Sequence, residues 1–161
     1  MSMNIHTISR TLHLMDIENL LGDARPSDAR VHAAWVHYQE LFDVSNPNQL
    51  VVACNHGAAC VVGCCFGASA RLLVRSGRDG ADEALLDVLT YEAIDSRFRQ
   101  VVIASGDGIF VESVKELIEA GVHVTVVARR NSLSNRLREV ASRVIYFEPT
   151  LSCEYEMKVA A

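Results

Sequence analysis

The sequence predicts an α/β fold of three layers, α/β/α, with a mainly parallel central sheet. Two observations point there. Apolar runs of strand length alternate with segments of helical periodicity along the whole chain. That β-α-β-α order calls for right-handed crossovers between parallel strands, with helices on both faces. A third observation says where function sits. Two apolar runs, 11–15 and 100–104, stop just before an aspartate, Asp16 and Asp107, and the carboxyl ends of strands are where open α/β sheets bind ligands.

The elements follow in order. Residues 11–15 read as the first strand, and Asp16 to Leu20 as the loop leaving it. After a loop from Gly22, Pro26-Ser27-Asp28 reads as a helix start, and Val31, Trp35, Tyr38 and Phe42 recur at helical spacing as a core face rather than a base-stacking platform. Asn46-Pro47-Asn48 ends that helix. Gln49 to Cys54 is a second strand, and Asn55 caps a helix from His56 to Phe66. Asn55 and His56 also follow a strand end, but capping and packing are favoured for both. Arg71 to Arg75 is a third strand and 76–80 a loop. A helix from Ala81 to Ala93 turns Leu85, Leu86 and Leu89 inward, and Asp82 shares that face. A first-turn carboxylate gains from the helix dipole on any face, so its placement toward the core favours a site role. Asp87, about 140° further round, reads as solvated. Gln100 to Ala104 is strand four. The next helix places Phe110, Val114, Leu117 and Ile118 inward and Glu112, Lys115, Glu116 and Glu119 outward, and Gly121 ends it. Val122 to Val127, a helix over 134–140 and a strand over 144–147 complete the pattern.

Bulk properties bound the function. The chain has 161 residues, half of them hydrophobic, which fits one domain with a sizeable core. A net charge of −5 offers no whole-molecule attraction for a polyanion, so nucleic-acid binding needs a local basic patch. The first ten residues lack the apolar core of a signal peptide. The apolar run 50–66, broken by Asn55-His56-Gly57, is shorter than the ~20 residues that span a bilayer. Five cysteines, at 54, 60, 64, 65 and 153, with no C-x-x-C pair and no zinc spacing, read as small buried hydrophobes of a reduced, cytoplasmic protein.

On this topology Asp16, Asp82 and Asp107 are expected to converge at one sheet edge. Three adjacent carboxylates ionise together only with a cation, and Mg2+ or Mn2+ suits oxygen ligands. Asn19 and Ser105, with the backbone amides around Gly106-Asp107-Gly108, are candidates for holding a phosphate oxygen or a metal-bound water. Arg75 and Arg78 follow strand three, and Arg129 and Arg130 follow strand five. If those strands run parallel to the first, the arginines form a basic rim on the same edge. The chain has no Gly-x-Ser-x-Gly elbow and no Walker loop.

At these residues the chain resembles the NYN domains, a branch of the PIN-like nucleases. Met15-Asp16-Ile17-Glu18-Asn19-Leu20 is similar to their D-x-x-N opening, residues 79–87 to their central helix motif, and Ser105-Gly106-Asp107-Gly108-Ile109-Phe110 to their S-G-D-x-D-F. The strand 121–127 and the segment 137–147 fit the family's ending. The resemblance covers roughly 11–147, leaving 1–10 as an extension and 148–161 as a tail. It implies a PIN-like fold and a metal-dependent endoribonuclease. Asp16, Asp82 and Asp107 would be its catalytic, metal-holding residues, with Asp87 as a weaker member. Asn19, Ser105, Arg78, Arg129 and Arg130 would contact RNA, single-stranded or structured, and no membrane. A homodimer is compatible with that fold. One departure stands out: Ile109 occupies the place of the motif's second aspartate. It favours the rival reading, a non-catalytic NYN-like module that binds RNA or protein. A haloacid-dehalogenase-like phosphatase, with Asp16 as nucleophile, is disfavoured by Leu20 and by the lack of a lysine motif.

Overall fold

Apolar runs too short for helices but rich in Val, Ile and Leu build the centre of the molecule. In the computed structural model, which describes residues 10–45 and 49–149, they are β1 (Thr11–Asp16), β2 (Gln49–Cys54), β3 (Arg71–Val74), β4 (Gln100–Ala104), β5 (His123–Ala128) and β6 (Arg143–Tyr146). They form one six-stranded sheet in the order β3-β2-β1-β4-β5-β6. Every neighbouring pair is parallel, so the expected mainly parallel sheet is parallel throughout. All strand carboxyl ends therefore share one edge, and the arginines after β3 and β5 flank the β1–β4 pair from opposite sides.

The helices are α1 (Ile17–Leu21), α2 (Asp28–Leu41), α3 (Ala59–Phe66), α4 (Gly80–Tyr91), α5 (Ile94–Arg97), α6 (Val111–Glu119) and α7 (Asn135–Val140). Two cores lie on the two sides of the sheet. Leu12, Leu14, Val101 and Ile103 meet α4, α6 and α7 on one side. Met15, Val52, Val102 and Val127 meet α1, α2 and α3 on the other. Alternation along each strand sorts its residues between them. The stripe Val31, Trp35 and Tyr38 is buried in the second core, as a core face rather than a stacking platform.

Three differences from the sequence expectation have physical causes. The loop expected after β1 is a short helix, α1, because Asp16 caps it and Gly22, at φ +67°, closes it in the left-handed conformation. The helix expected over 81–93 is α4, ending at Tyr91, and Ala93 at φ +49° separates it from a further short helix, α5, that the sequence did not suggest. The helix expected from His56 begins at Ala59, since Asn55 Oδ1 accepts from the Ala58 amide (3.0 Å) and holds residues 55–58 as a turn. The expected helix break at 46–48, the tail from 150 onward and Cys153 lie outside the described residues. Of the other cysteines, Cys54 is buried, Cys65 is half-buried, and Cys60 and Cys64 are exposed on α3, so the reading as buried hydrophobes holds for Cys54 only.

One polar residue sits inside. His13, 1% exposed on β1, places Nδ1 2.9 Å from the Tyr38 hydroxyl. Burial pushes its pKa down to about 4, against a smaller opposing effect of Asp43. An unfolded histidine titrates near ~6.5, so the stability gained from the neutral ring is present above that pH and is lost as pH falls toward 4. The loss is about 3 kcal/mol. Urea unfolding of native protein and His13→Gln at pH 7 and pH 4.5 measures it: the gap between the two proteins narrows by that amount at the lower pH, and an unchanged gap refutes it.

Candidate functional site

The sheet order reverses direction between β1 and β4. The connection after β1 leaves toward the α1–α2 side, while the one after β4 leaves toward α6 on the other. Between the two lies the crevice in which parallel α/β sheets bind ligands. Asp16 ends β1, and Ser105-Gly106-Asp107 follow β4.

Asp16 is a strand end, a helix cap and a buried acid at once. Its Oδ1 accepts from the amides of Glu18 and Asn19, both at 3.0 Å. Period-two alternation turns its side chain to the face of Leu12 and Leu14, which α4 covers. Asp82 comes from the first turn of α4 on the inward face, 7% exposed among Ala81, Ala84 and Leu85. Gly80 makes the approach possible: a Cβ there would stand 2.5 Å from the Arg75 carbonyl oxygen. Lacking one, the helix start rests on the end of β3 and brings Asp82 against Asp16.

The two carboxyl groups lie close enough to act on each other's protonation, and burial with the Asp16 charge favours the neutral form of Asp82. Burial pushes Asp82 up to about 8, reinforced by the Asp16 charge and their mutual hydrogen bond, then by the charges of Asp107 and Asp79. Asp16 is also raised by burial, against the Asn19 amide and its bond to Asp82. Asp82 Oδ1 is buried with no hydrogen-bond partner among the described residues, which leaves an acceptor unsatisfied beside Asp16.

Asp107 stands apart from the pair. It is half-buried, and one oxygen accepts from the Ile109 amide (2.9 Å), capping a 3₁₀ turn over Gly108–Phe110. Its charge reaches Asp82, yet the described residues contain no group of three or more His, Cys, Asp and Glu side chains placed to hold one ion. Asn19 and Ser105 shape the crevice. Asn19 Oδ1 accepts from the Gly106 amide (3.0 Å), and Ser105, fully buried, accepts from the Asp107 amide (3.2 Å).

Gly106 is a second close approach, since a Cβ would lie 2.4 Å from the Ser132 carbonyl oxygen. The Ser134 amide in turn donates to Gly106 O (2.8 Å). Gly106→Ala therefore costs about 1–3 kcal/mol of stability by displacing that backbone. Urea denaturation checks this, and a loss near zero would mean that the loop gives way freely.

The arginines divide. Arg78 is exposed and makes no hydrogen bond or ion pair with the described residues. Arg75 is paired with Asp87 (2.7 Å). Arg129 is half-buried, and its Nε donates to the Asn19 carbonyl (3.2 Å). Arg130 lies over the Tyr146 ring at 4.1 Å and 3.7 Å from Glu148. Sequence reasoning missed Glu18 as a positioning residue: its Oε1 accepts from the Asn55 amide and ties β2 to α1. Its place two residues after Asp16 was the available signal. The Asn55 side chain is spent on Ala58 and on Ala24 O (2.9 Å), and His56 Nδ1 on Ser76 Oγ (2.7 Å).

The family model of the NYN domain matches residues 14–151. A solved structure, a protein of unknown function from Vibrio parahaemolyticus, is similar to this chain with a TM-score of 0.62 and 16% identity, over 87% of this chain and 93% of that one; the likeness shows a shared fold. No curated protein matches the chain. No described helix is long and apolar enough to cross a membrane.

Proposed function

The chain belongs to the NYN domain family, a nuclease-like branch of the PIN-like fold, and from that premise we propose that it is a divalent-metal-dependent endoribonuclease centred on Asp16 and Asp82. The observation that carries the reading is the buried, unpartnered Oδ1 of Asp82 beside the Asp16 carboxyl. The donor set fits Mg2+ or Mn2+, since Mg2+ is commonly held by only one or two carboxylates plus substrate phosphate and water. Asp16 and Asp82 would hold the ion, and Asp107 adds negative charge at the rim. Such an ion, when bound, supplies Lewis-acid stabilisation of charge at phosphorus and acidifies water.

The chain's own residues do the rest. Oδ1 of Asp16 stays fixed on two amides, so the orientation of this carboxylate is set before any ligand arrives. Asn19 holds the Gly106 loop against α1, which keeps the two strand ends in register. Arg129 and Arg130 on one flank and Arg78 on the other meet the phosphates of a strand lying across the crevice. Cleavage of end-labelled single-stranded RNA with Mn2+ or Mg2+, against the same reaction in EDTA, tests the proposal. Metal-dependent internal cleavage supports it, and a folded, metal-loaded protein that leaves the RNA intact refutes it.

Ile109 favours the second reading, a binding module without catalysis. It is 38% exposed in the turn that Asp107 caps, where the family motif carries an aspartate. Because the side chain is exposed, Ile109→Asp changes stability by no more than about 0.5 kcal/mol. Under the nuclease reading, native protein already cleaves and the substitution alters the rate by less than about tenfold. Cleavage found only in Ile109→Asp would assign the native chain to the binding module.

A further inference from the structure

We infer that Cys60 and Cys64 of α3 form a two-thiolate site for a soft monovalent cation, Cu(I), apart from the acidic centre. Both are free thiols and both are exposed, whereas Cys54 is buried and Cys65 is half-buried. Cysteine is among the most buried residue types, so core packing does not account for two of them facing water on one short helix. They stand four residues apart within α3, and residues at that spacing are neighbours on a helix face. Cys65 lies about 100° round the helix from Cys64 and packs against the core shared with α1 and α2, so it does not join them.

Spacing and ligand count decide what such a pair holds. Cβ atoms four residues apart on a helix are about 5–6 Å from each other. A disulfide needs about 3.5–4.5 Å, so an intact helix keeps the two sulfurs as thiols. A thiolate–metal bond is about 2.3 Å long, so one ion between two sulfurs spans about 4.6 Å, which rotation of the two side chains reaches without unwinding α3. Among the described residues no group of three or more His, Cys, Asp and Glu side chains is placed to hold one ion, so the pair has no third protein donor. Zinc, almost always four-coordinate in structural sites, is left half-supplied. Soft thiolates select Cu(I), which is satisfied by two of them in line. Hard Mg2+ and Mn2+ prefer carboxylates, so the two sites do not compete for one metal. Access is open: Gly57 before the helix and Gly67 and Ala68 after it are exposed, and a Cβ at Gly67 would meet no atom within 4 Å.

The test titrates Cu(I), buffered by the coloured chelator bicinchoninate, into the reduced native chain under nitrogen. The chain is expected to take one equivalent from the chelator, read as loss of its colour. Cys60→Ser and Cys64→Ser each weaken that binding by at least about a hundredfold, the upper end of what losing even an outer-shell partner costs a metal site. Cys65→Ser/Cys153→Ser binds as the native chain does. A second measurement needs no variant: bound Cu(I) protects Cys60 and Cys64 from N-ethylmaleimide, read by peptide mass mapping, and leaves Cys65 and Cys153 as reactive as before. Full binding by either folded single variant, or protection that maps to Cys65 or Cys153, overturns the site. So does uptake of half an equivalent per chain, the mark of an ion clamped between two copies. RNA cleavage uses neither thiol, so this site and the nuclease reading stand or fall separately.

Discussion

Asp16→Asn lowers metal-dependent RNA cleavage by at least about 10³-fold, the scale on which loss of a charge-stabilising group acts in an active site, and leaves the protein folded. The second half of that expectation makes the first informative. Asparagine caps helices about as well as aspartate, so the amides of Glu18 and Asn19 keep an oxygen acceptor at position 16. What disappears is the charge facing Asp82. Asp16→Ala removes the cap as well and costs about 1 kcal/mol of stability, which separates the structural role from the chemical one. Single-turnover cleavage with Mn2+, alongside thermal melting of all three proteins, reads both effects. Equal cleavage by native protein and Asp16→Asn would remove the acidic pair from the mechanism.

Asp82→Asn makes the metal-free protein more stable in mild alkali. Asp82 titrates at about 8 in the folded chain, raised from 3.8. A carboxyl whose folded pKa is raised contributes stability below its unfolded pKa, and that stability is lost as pH rises through the window from 4 to 8. Native protein in chelator therefore weakens across this range. Asp82→Asn carries no such charge and lacks that contribution to the decline. At pH 8.5 the variant exceeds native by about 2–4 kcal/mol, less than the full linkage value because a buried acid relaxes toward solvent. Urea midpoints at pH 5 and 8.5 in EDTA measure the difference. Added Mg2+ should strengthen native protein and leave the variant unmoved. Identical pH profiles for the two proteins would show that Asp82 is not held protonated by its surroundings.

The sheet was legible because each strand is a run of β-branched and aliphatic residues, and the helices because stripes such as Val31-Trp35-Tyr38 repeat at 3.6 residues. Asp82 was legible for the same reason: a carboxylate on the Leu85 face has to end up under the helix. What local pattern cannot encode is the geometry of contacts between distant segments. The bond from the Gly106 amide to Asn19 spans 87 residues, and that from the Asn55 amide to Glu18 spans 37. The residue types of Asn19 and Ser105 suit a phosphate oxygen or a metal-bound water, but their pattern carries no sign that their oxygens also accept from the Gly106 and Asp107 amides. Strand order was equally invisible, yet it decides that Arg75 pairs with Asp87 on one flank while Arg129 reaches the loop after β1 on the other. The short helix α5 was not legible, because the left-handed Ala93 that sets it apart from α4 carries no sequence mark.

The Asn19–Gly106 bond has a wider consequence. Together with Arg129 on the Asn19 carbonyl and Ser134 on Gly106, it ties the ends of β1, β4 and β5 into one frame. Loops framed in this way have little freedom left to surrender when a ligand arrives, so nearly all of the entropy lost in forming a complex is lost by the ligand. For a flexible single strand that loss grows with every nucleotide laid down. A frame of this kind discriminates by how readily the incoming chain stiffens, and a segment that is already extended and unstacked pays least.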